Sequence, residues 1–204
     1  LSAAADLTLA AAALSEARRR AAPKLARAVR AQLAELAMPE ASFEIELSDT
    51  DVGPRGADDV ELLIAPNPGV PSGPLREIGS GGELSRVMLA IMAAGHGHSA
   101  TGDSTLVFDE VDAGIGGHTA RAVGERLRAL AAQRQVLCIT HLPQVASFAE
   151  RHFAIVKDTS VKPTRTTVVE LAQQDVESEL VRMLGADGDD AGARRHAKEL
   201  LRAA

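Results

Sequence analysis

Thr105-Leu106-Val107-Phe108-Asp109-Glu110 is a short apolar and β-branched run closed by two acids. A strand of this kind, ending in Asp, carries a carboxylate to the carboxyl edge of a sheet, where ligands of open α/β folds bind and where magnesium can be met. A Glu next in line points elsewhere and can accept a proton from water. By itself the pattern also describes a buried strand ending in a polar turn, so its neighbours decide the reading. Upstream lies Gly79-Ser80-Gly81-Gly82-Glu83-Leu84-Ser85-Arg86. It opens a segment in which Leu84, Val87, Met88 and Ile91 have the spacing of a helix face. Glycines at a helix start let backbone approach a ligand closely, the free amides there attract anions, and Ser80 adds a hydroxyl. Downstream, Val136-Leu137-Cys138-Ile139-Thr140-His141 is a second apolar run, now ending in His. A flexible loop and a structural His are the plain alternatives for these two.

Order and spacing make the three specific together. A Gly-rich helix start is followed after about 25 residues by a strand ending in Asp-Glu, and after about 30 more by a strand ending in His. The arrangement resembles the ABC ATPase superfamily, in which these are the signature motif, the Walker B strand and the switch histidine. Within it, SGGELSR running into Val87-Met88-Leu89-Ala90, then FDEVDAGIGG, then ITHLPQVA, resembles the C-terminal part of the SMC-like bacterial DNA repair ATPases of the RecN family. The likeness covers most of residues 60–157. One departure is Gly79, which stands where the usual signature has Leu; a small residue there suits the SMC-like relatives better than the transporters.

The resemblance implies roles residue by residue. Asp109 would hold Mg2+, mostly through water, Glu110 would polarise the attacking water, and His141 would sense the γ-phosphate. Ser80, Gly81, Gly82 and Glu83 would close over an ATP held by a second head. Asp112 would meet that partner across the interface, while Gly114, Gly116 and Gly117 would shape the turn into the next helix. The implied fold is α/β, the C-terminal lobe of an ABC/SMC-type head with a largely parallel sheet flanked by helices. Residues 1–38 would end a coiled-coil arm and residues 39–204 would form the lobe. DNA, the chain's own P-loop lobe and a second head (a homodimer) are the implied partners, and a cytoplasmic, nucleoid-associated setting is implied with them.

A phosphate-binding P-loop needs Gly-Lys-Ser/Thr. The four lysines, Lys24, Lys157, Lys162 and Lys198, follow Pro23, Val156, Val161 and Ala197, never Gly. The 204 residues therefore hold no P-loop, and alone they are expected neither to bind ATP tightly nor to hydrolyse it. A transporter nucleotide-binding subunit would carry its own P-loop upstream of the signature. A dimerisation module without turnover is the other alternative, against which the pairing of Asp109 with Glu110 argues.

Composition bounds the remaining classes. Hydrophobic residues make up 46% and charged residues 25%, as in an ordinary globular domain. Aromatics are 2%, with no Trp or Tyr, which argues against gripping single strands by base stacking. Net charge is −6, so no basic footprint covers the whole chain. Six cations do cluster between Glu16 and Arg30: Arg18, Arg19, Arg20, Lys24, Arg27 and Arg30. They make either a solvated helix face or a phosphate-contacting patch. Cys138, the single cysteine, reads as a buried core thiol. No apolar run approaches a membrane span, and the start lacks the basic region of a signal peptide.

The coarse organisation follows from pattern. Residues 1–37 are rich in Ala, Leu, Arg and Glu and read as a helix of roughly 50 Å, kinked or restarted at Pro23 and stopped near Pro39. Leu14, Leu25 and Leu36 recur every eleven residues and mark its expected apolar face. Ser42–Leu47 alternates like a half-buried strand, Val60–Ala65 is a second strand, and strands and helices alternate from residue 84 onward. Gly95-His96-Gly97-His98-Ser99-Ala100 mimics a dinucleotide fingerprint but follows a helix rather than a strand, and reads as a solvent loop that completes no metal site.

Overall fold

A computed structural model describes residues 2–95, 105–160 and 162–204. The His96–Ala100 segment lies outside them. The chain divides into two units, Leu1–Thr101 and Gly102–Ala204.

The first unit is built on α1 (Ala3–Glu35), one continuous helix. Its buried positions are Ala11, Ser15, Ala26, Val29 and Leu33, with Arg18 and Ala22 half-buried between them. The eleven-residue spacing holds on two adjacent rows: Ala11–Ala22–Leu33 is buried or half-buried throughout, and of Leu14–Leu25–Leu36 the last is fully buried, Leu25 is half-buried and only Leu14 is exposed. Leu7, Leu9 and Leu14 stay exposed. A helix this rich in Ala offers several faces of similar apolarity, and the hairpin packed against it selects one. Pro23 neither restarts nor ends α1. It sits on the exposed side, where the carbonyl that lost its amide partner can be hydrated. The helix stops through its own C-cap rather than through Pro39. Ala37 turns left-handed at φ 62°, and the Met38 amide donates back to the Leu33 carbonyl at 3.0 Å, a Schellman closure.

Strands β1 (Ser42–Gly53) and β2 (Gly56–Ala65) form an antiparallel hairpin with Phe43 opposite Ile64 and Leu47 opposite Val60. Gly56 sits in its turn at φ +97°, a backbone conformation that favours glycine, while the Leu14 side-chain end that an added Cβ would meet at 2.9 Å is free to shift. A two-residue strand β3 (Gly73–Pro74) adds to β2, and α2 (Gly81–Ala94) follows. Packed between α1, the hairpin and α2 are Val29, Leu33, Leu36, Phe43, Ile64, Val87 and Leu89, all nearly inaccessible. Burying side chains of this size contributes about 1.5–3 kcal/mol each.

In the second unit β4 (Leu106–Phe108) leads through α3 (Gly117–Ala131) to β5 (Val136–Cys138), which pairs parallel to β4 with Phe108 beside Cys138. The short helix α4 (Pro143–Ala146) follows at once. An antiparallel hairpin of β6 (Phe153–Asp158) and β7 (Arg165–Glu170) precedes α5 (Gln173–Met183) and α6 (Ala191–Ala203). Val176, Leu180 and Val181 on α5 meet Ala197 on α6 and Ala146 on α4 in a small core. The architecture is α/β, as expected, but the parallel pairing among the described residues is confined to β4 and β5. Only these two strands are joined by a helix; the other pairs are joined by short turns, which permit antiparallel partners alone.

Candidate nucleotide site

The carboxyl ends of β4 and β5 bring two of the three motifs together. The Ile139 amide donates to the Phe108 carbonyl at 2.9 Å, extending the ladder past the strand ends. Asp109 and Glu110 therefore leave the sheet beside Thr140 and His141. Both acids are exposed. Glu110 takes a left-handed φ of 56°, a conformation that costs a non-glycine residue of order 1 kcal/mol or more and persists where surrounding structure imposes it. The next turn is closed by the Ala113 amide on the Glu110 carbonyl at 3.0 Å. Gly114 and Gly117 both take positive φ in that turn, whereas Gly116 is extended.

Asp112 has partners within its own chain. Its side chain is 2% exposed and turned inward onto the His141 loop. Oδ2 accepts the Thr140 hydroxyl at 2.5 Å and the His141 amide at 3.0 Å, and lies 3.2 Å from Nδ1 of the His141 ring. The same hydroxyl accepts the Leu142 amide at 3.0 Å. The His141 ring itself is 71% exposed. Thr140 was not singled out from sequence; a hydroxyl residue directly before a strand-end His is the local signal that could have drawn attention to it. Cys138, half-buried in β5, has its thiol pushed up to about 12 by burial, with the negative Asp112 and Asp109 adding to the effect.

The signature residues belong to the first unit. Ser80 is the N-cap of α2 and accepts the Glu83 amide over a long 3.4 Å. Ser80 and Gly81 are exposed, Gly82 is buried, and Glu83 is half-buried. Arg86 is buried one turn further on, and that burial holds its guanidinium below its usual value against the pull of Glu83.

The six cations of α1 separate into two groups. Arg18 pairs with the buried Asp58 at 3.0 Å and donates to the Arg55 carbonyl at 2.8 Å. Arg19 pairs with Asp49 at 3.1 Å, Arg20 with Glu16, and Arg30 donates to the Phe43 carbonyl at 2.7 Å. These four brace the helix against the hairpin or against its own preceding turn. Lys24 and Arg27 are exposed and enter none of these pairs.

Over 205 aligned residues the chain is 45% identical to the DNA repair protein RecN of Streptomyces coelicolor, covering 94% of this chain and 36% of that protein. It is 44% identical over 175 residues to RecN of Treponema pallidum, covering 82% and 30%. The chain belongs to the RecN family. It spans about a third of the length of these curated relatives. No protein-family model matches it. Among solved structures it resembles the Smc head domain with a coiled coil and joint from Pyrococcus yayanosii (TM-score 0.52, 21% identity, 76% of this chain and 28% of that one). It also resembles the Smc head with an extended coiled coil from Pyrococcus furiosus (TM-score 0.51, 20% identity, 79% and 38%), a structure bound to the C-terminal domain of ScpA. At such identities the likeness bears on fold: this RecN-family chain shares the SMC head fold. No helix among the described residues is long and apolar enough to cross a membrane.

Proposed function

We propose that this chain is the C-terminal lobe of an SMC-like ATPase head acting in DNA double-strand-break repair and recombination, with residues 1–38 ending a coiled-coil arm and 39–204 forming the lobe. ATP held between two heads drives their engagement, and its hydrolysis releases them. The observation that carries this reading is the carboxyl edge of β4–β5, where Asp109, Glu110 and His141 leave neighbouring strands.

The sheet behind that edge also supports a missing lobe. Val107, Leu137 and Ile139 project from one face and are 64%, 46% and 52% exposed. Parallel sheets are normally covered on both faces, and two strands are too few for one. A P-loop lobe of the same longer protein would cover this face and extend the sheet. Covering three such side chains contributes a few kcal/mol, at about 25 cal/mol per Å².

The residues present fit Mg2+ and ATP. Magnesium is bound by one or two carboxylates together with phosphates and water, not by an all-protein cage. Asp109 offers one such carboxylate, exposed at the end of β4. Bound Mg2+ supplies charge neutralisation on the phosphates. Glu110 orients and deprotonates the attacking water. His141 meets the γ-phosphate. Ser80, whose hydroxyl holds the Glu83 amide only loosely, turns with Gly81, Gly82 and Glu83 toward a nucleotide on the second head. The setting is cytoplasmic, at the nucleoid, and the DNA contact falls to Lys24 and Arg27, the two cations of the cluster outside the intramolecular pairs.

The test is complementation. The 204-residue chain, freed of contaminating ATPase, shows no turnover, and co-expression with its P-loop lobe restores it. Turnover by the chain alone, or none in the assembled head, refutes the reading. For DNA, Lys24→Glu with Arg27→Glu lowers the salt slope of binding by about two, one per lost phosphate contact. An unchanged slope removes these residues from the interface.

A further inference from the structure

Asp112 has no role yet that explains its geometry. A carboxylate that is 2% exposed, three residues beyond Asp109, gathers one loop around a single oxygen: the Thr140 hydroxyl and the His141 amide donate to it, and His141 Nδ1 stands 3.2 Å away. The backbone donors and the hydroxyl fix where residues 140–142 lie. The ring contact adds something different. Imidazole in its neutral form carries one N–H, and the hydrogen bond made at one nitrogen decides which nitrogen carries it. A carboxylate accepts but cannot donate, so at 3.2 Å from Oδ2 the tautomer that gains an attractive contact is the one with its proton on Nδ1. Nε2 is then left facing outward from an exposed ring.

We infer that Asp112 is a positioning residue that fixes the ring of His141, holding the Nδ1–H tautomer and presenting Nε2 to the ligand side. This rests on the proposed role of His141 at the γ-phosphate and specifies how that role is set up. It also relocates the function of the loop following the Walker B strand. Through Asp112, the turn that begins at Glu110 and ends at Gly117 is tied to the His141 loop inside one head. A displacement of that turn by a neighbouring molecule therefore reorients His141 without touching it. Thr140 is the brace of this link, because its hydroxyl spans from Asp112 to the Leu142 amide.

Two measurements test the inference. The first reads the ring itself. In the 204-residue chain labelled with nitrogen-15 histidine, long-range correlation spectra of the neutral imidazole report the tautomer, the His141 signal being assigned by its loss in His141→Gln. The wild-type chain gives the Nδ1–H pattern, and Asp112→Ala reverts to Nε2–H or to a mixture. An Nε2–H pattern in the wild-type chain overturns the proposal outright, so nothing depends on Asp112→Ala folding.

The second is a double-mutant cycle in the assembled head. Asp112→Ala lowers kcat roughly ten- to a hundredfold, the range seen when the partner that orients a functional imidazole is removed, with KM changing far less. In a His141→Ala background the same substitution has little further effect. A full, additive loss in that background shows that Asp112 acts on something other than His141 and overturns the inference. Thr140→Val, which keeps the shape and removes the hydroxyl, gives a smaller loss of the same kind. Failure of the underlying functional reading has a separate signature: His141→Ala then leaves turnover unchanged while the wild-type tautomer is still Nδ1–H.

Discussion

Gly124 sits on the buried face of α3, and a Cβ built there would stand 2.3 Å from Cδ2 of Phe148, 2.9 Å from Cε2 and 3.1 Å from Cγ. Gly124→Ala therefore sets two effects against each other. Alanine in a helix interior gains about 0.8–1 kcal/mol over glycine. Carbon atoms rest at about 3.5 Å or more, so the ring must withdraw by roughly 1.2 Å, and overpacking of this kind costs about 1–3 kcal/mol. The half-buried ring has some freedom on the side where the Arg121 guanidinium lies 6.0 Å from its centroid, which keeps the cost from the upper limit. The expected net is a destabilisation of about 1 kcal/mol. The sign reverses when the ring is gone: in a Phe148→Ala background, Gly124→Ala stabilises by about 1 kcal/mol. Urea denaturation followed by far-ultraviolet circular dichroism measures both, since a chain without Trp or Tyr has no useful fluorescence. Stabilisation by Gly124→Ala in the wild-type background, or an equal cost in both backgrounds, refutes the reasoning. Because α3 follows the Asp112 turn and α4 follows His141, the same substitution also shifts the His141 ring signals.

Three further outcomes are expected. In the head assembled with its P-loop lobe, Glu110→Gln slows hydrolysis by roughly 10²–10⁴, the loss of one acid–base group, while nucleotide-dependent association of heads persists; an unchanged rate in steady-state assays removes Glu110 from the reaction. Hydrogen bonds from Arg18 and then Ser15 hold the Asp58 carboxyl below its ordinary range, against the opposing effect of burial. A depressed carboxylate contributes stability that is full above the unfolded-state value of about 4 and is lost as pH falls through the folded-state value, so Asp58→Asn lowers stability at neutral pH and flattens the acid limb of the stability curve; parallel curves for the two proteins contradict this. Cys138, with its thiol raised to about 12, resists alkylation at pH 8 in the folded chain and reacts at the rate of a free thiol in urea, a difference of roughly a hundredfold or more; equal rates in both conditions place the thiol in a different environment.

How far these features were legible depends on the reach of the interactions behind them. The strand ends at Asp109 and His141 were readable because an apolar run and its polar terminus are local patterns. The contact of Asp112 with Thr140 and His141 was not legible, because these partners stand 28 and 29 residues away and no periodicity encodes that approach. The basic cluster on α1 fails to read for the same reason: whether Arg18 contacts solvent, phosphate or Asp58 is decided by a hairpin 40 residues on. Where the buried face of α1 passes from leucine to alanine was obscured, because alanine is a helix former on any face: Leu36 and Leu25 turn inward as expected, and Leu14 does not. Pro23 was overweighted, since a proline on the hydrated side of a long helix forfeits one hydrogen bond without forfeiting the helix.

That last feature has a mechanical side. The C-terminal third of α1 is fixed in the first unit's core and lies against α2, whose first turn begins at the Ser80–Glu83 segment. The other end presents Leu7, Leu9 and Leu14 to whatever grips it. Unbroken over 33 residues, α1 joins the two as one element. Between them Ser15, Arg18 and Arg19 tie it to the hairpin, so helix and hairpin make one lever rather than a free rod, and the amide missing from its ladder is that of Pro23.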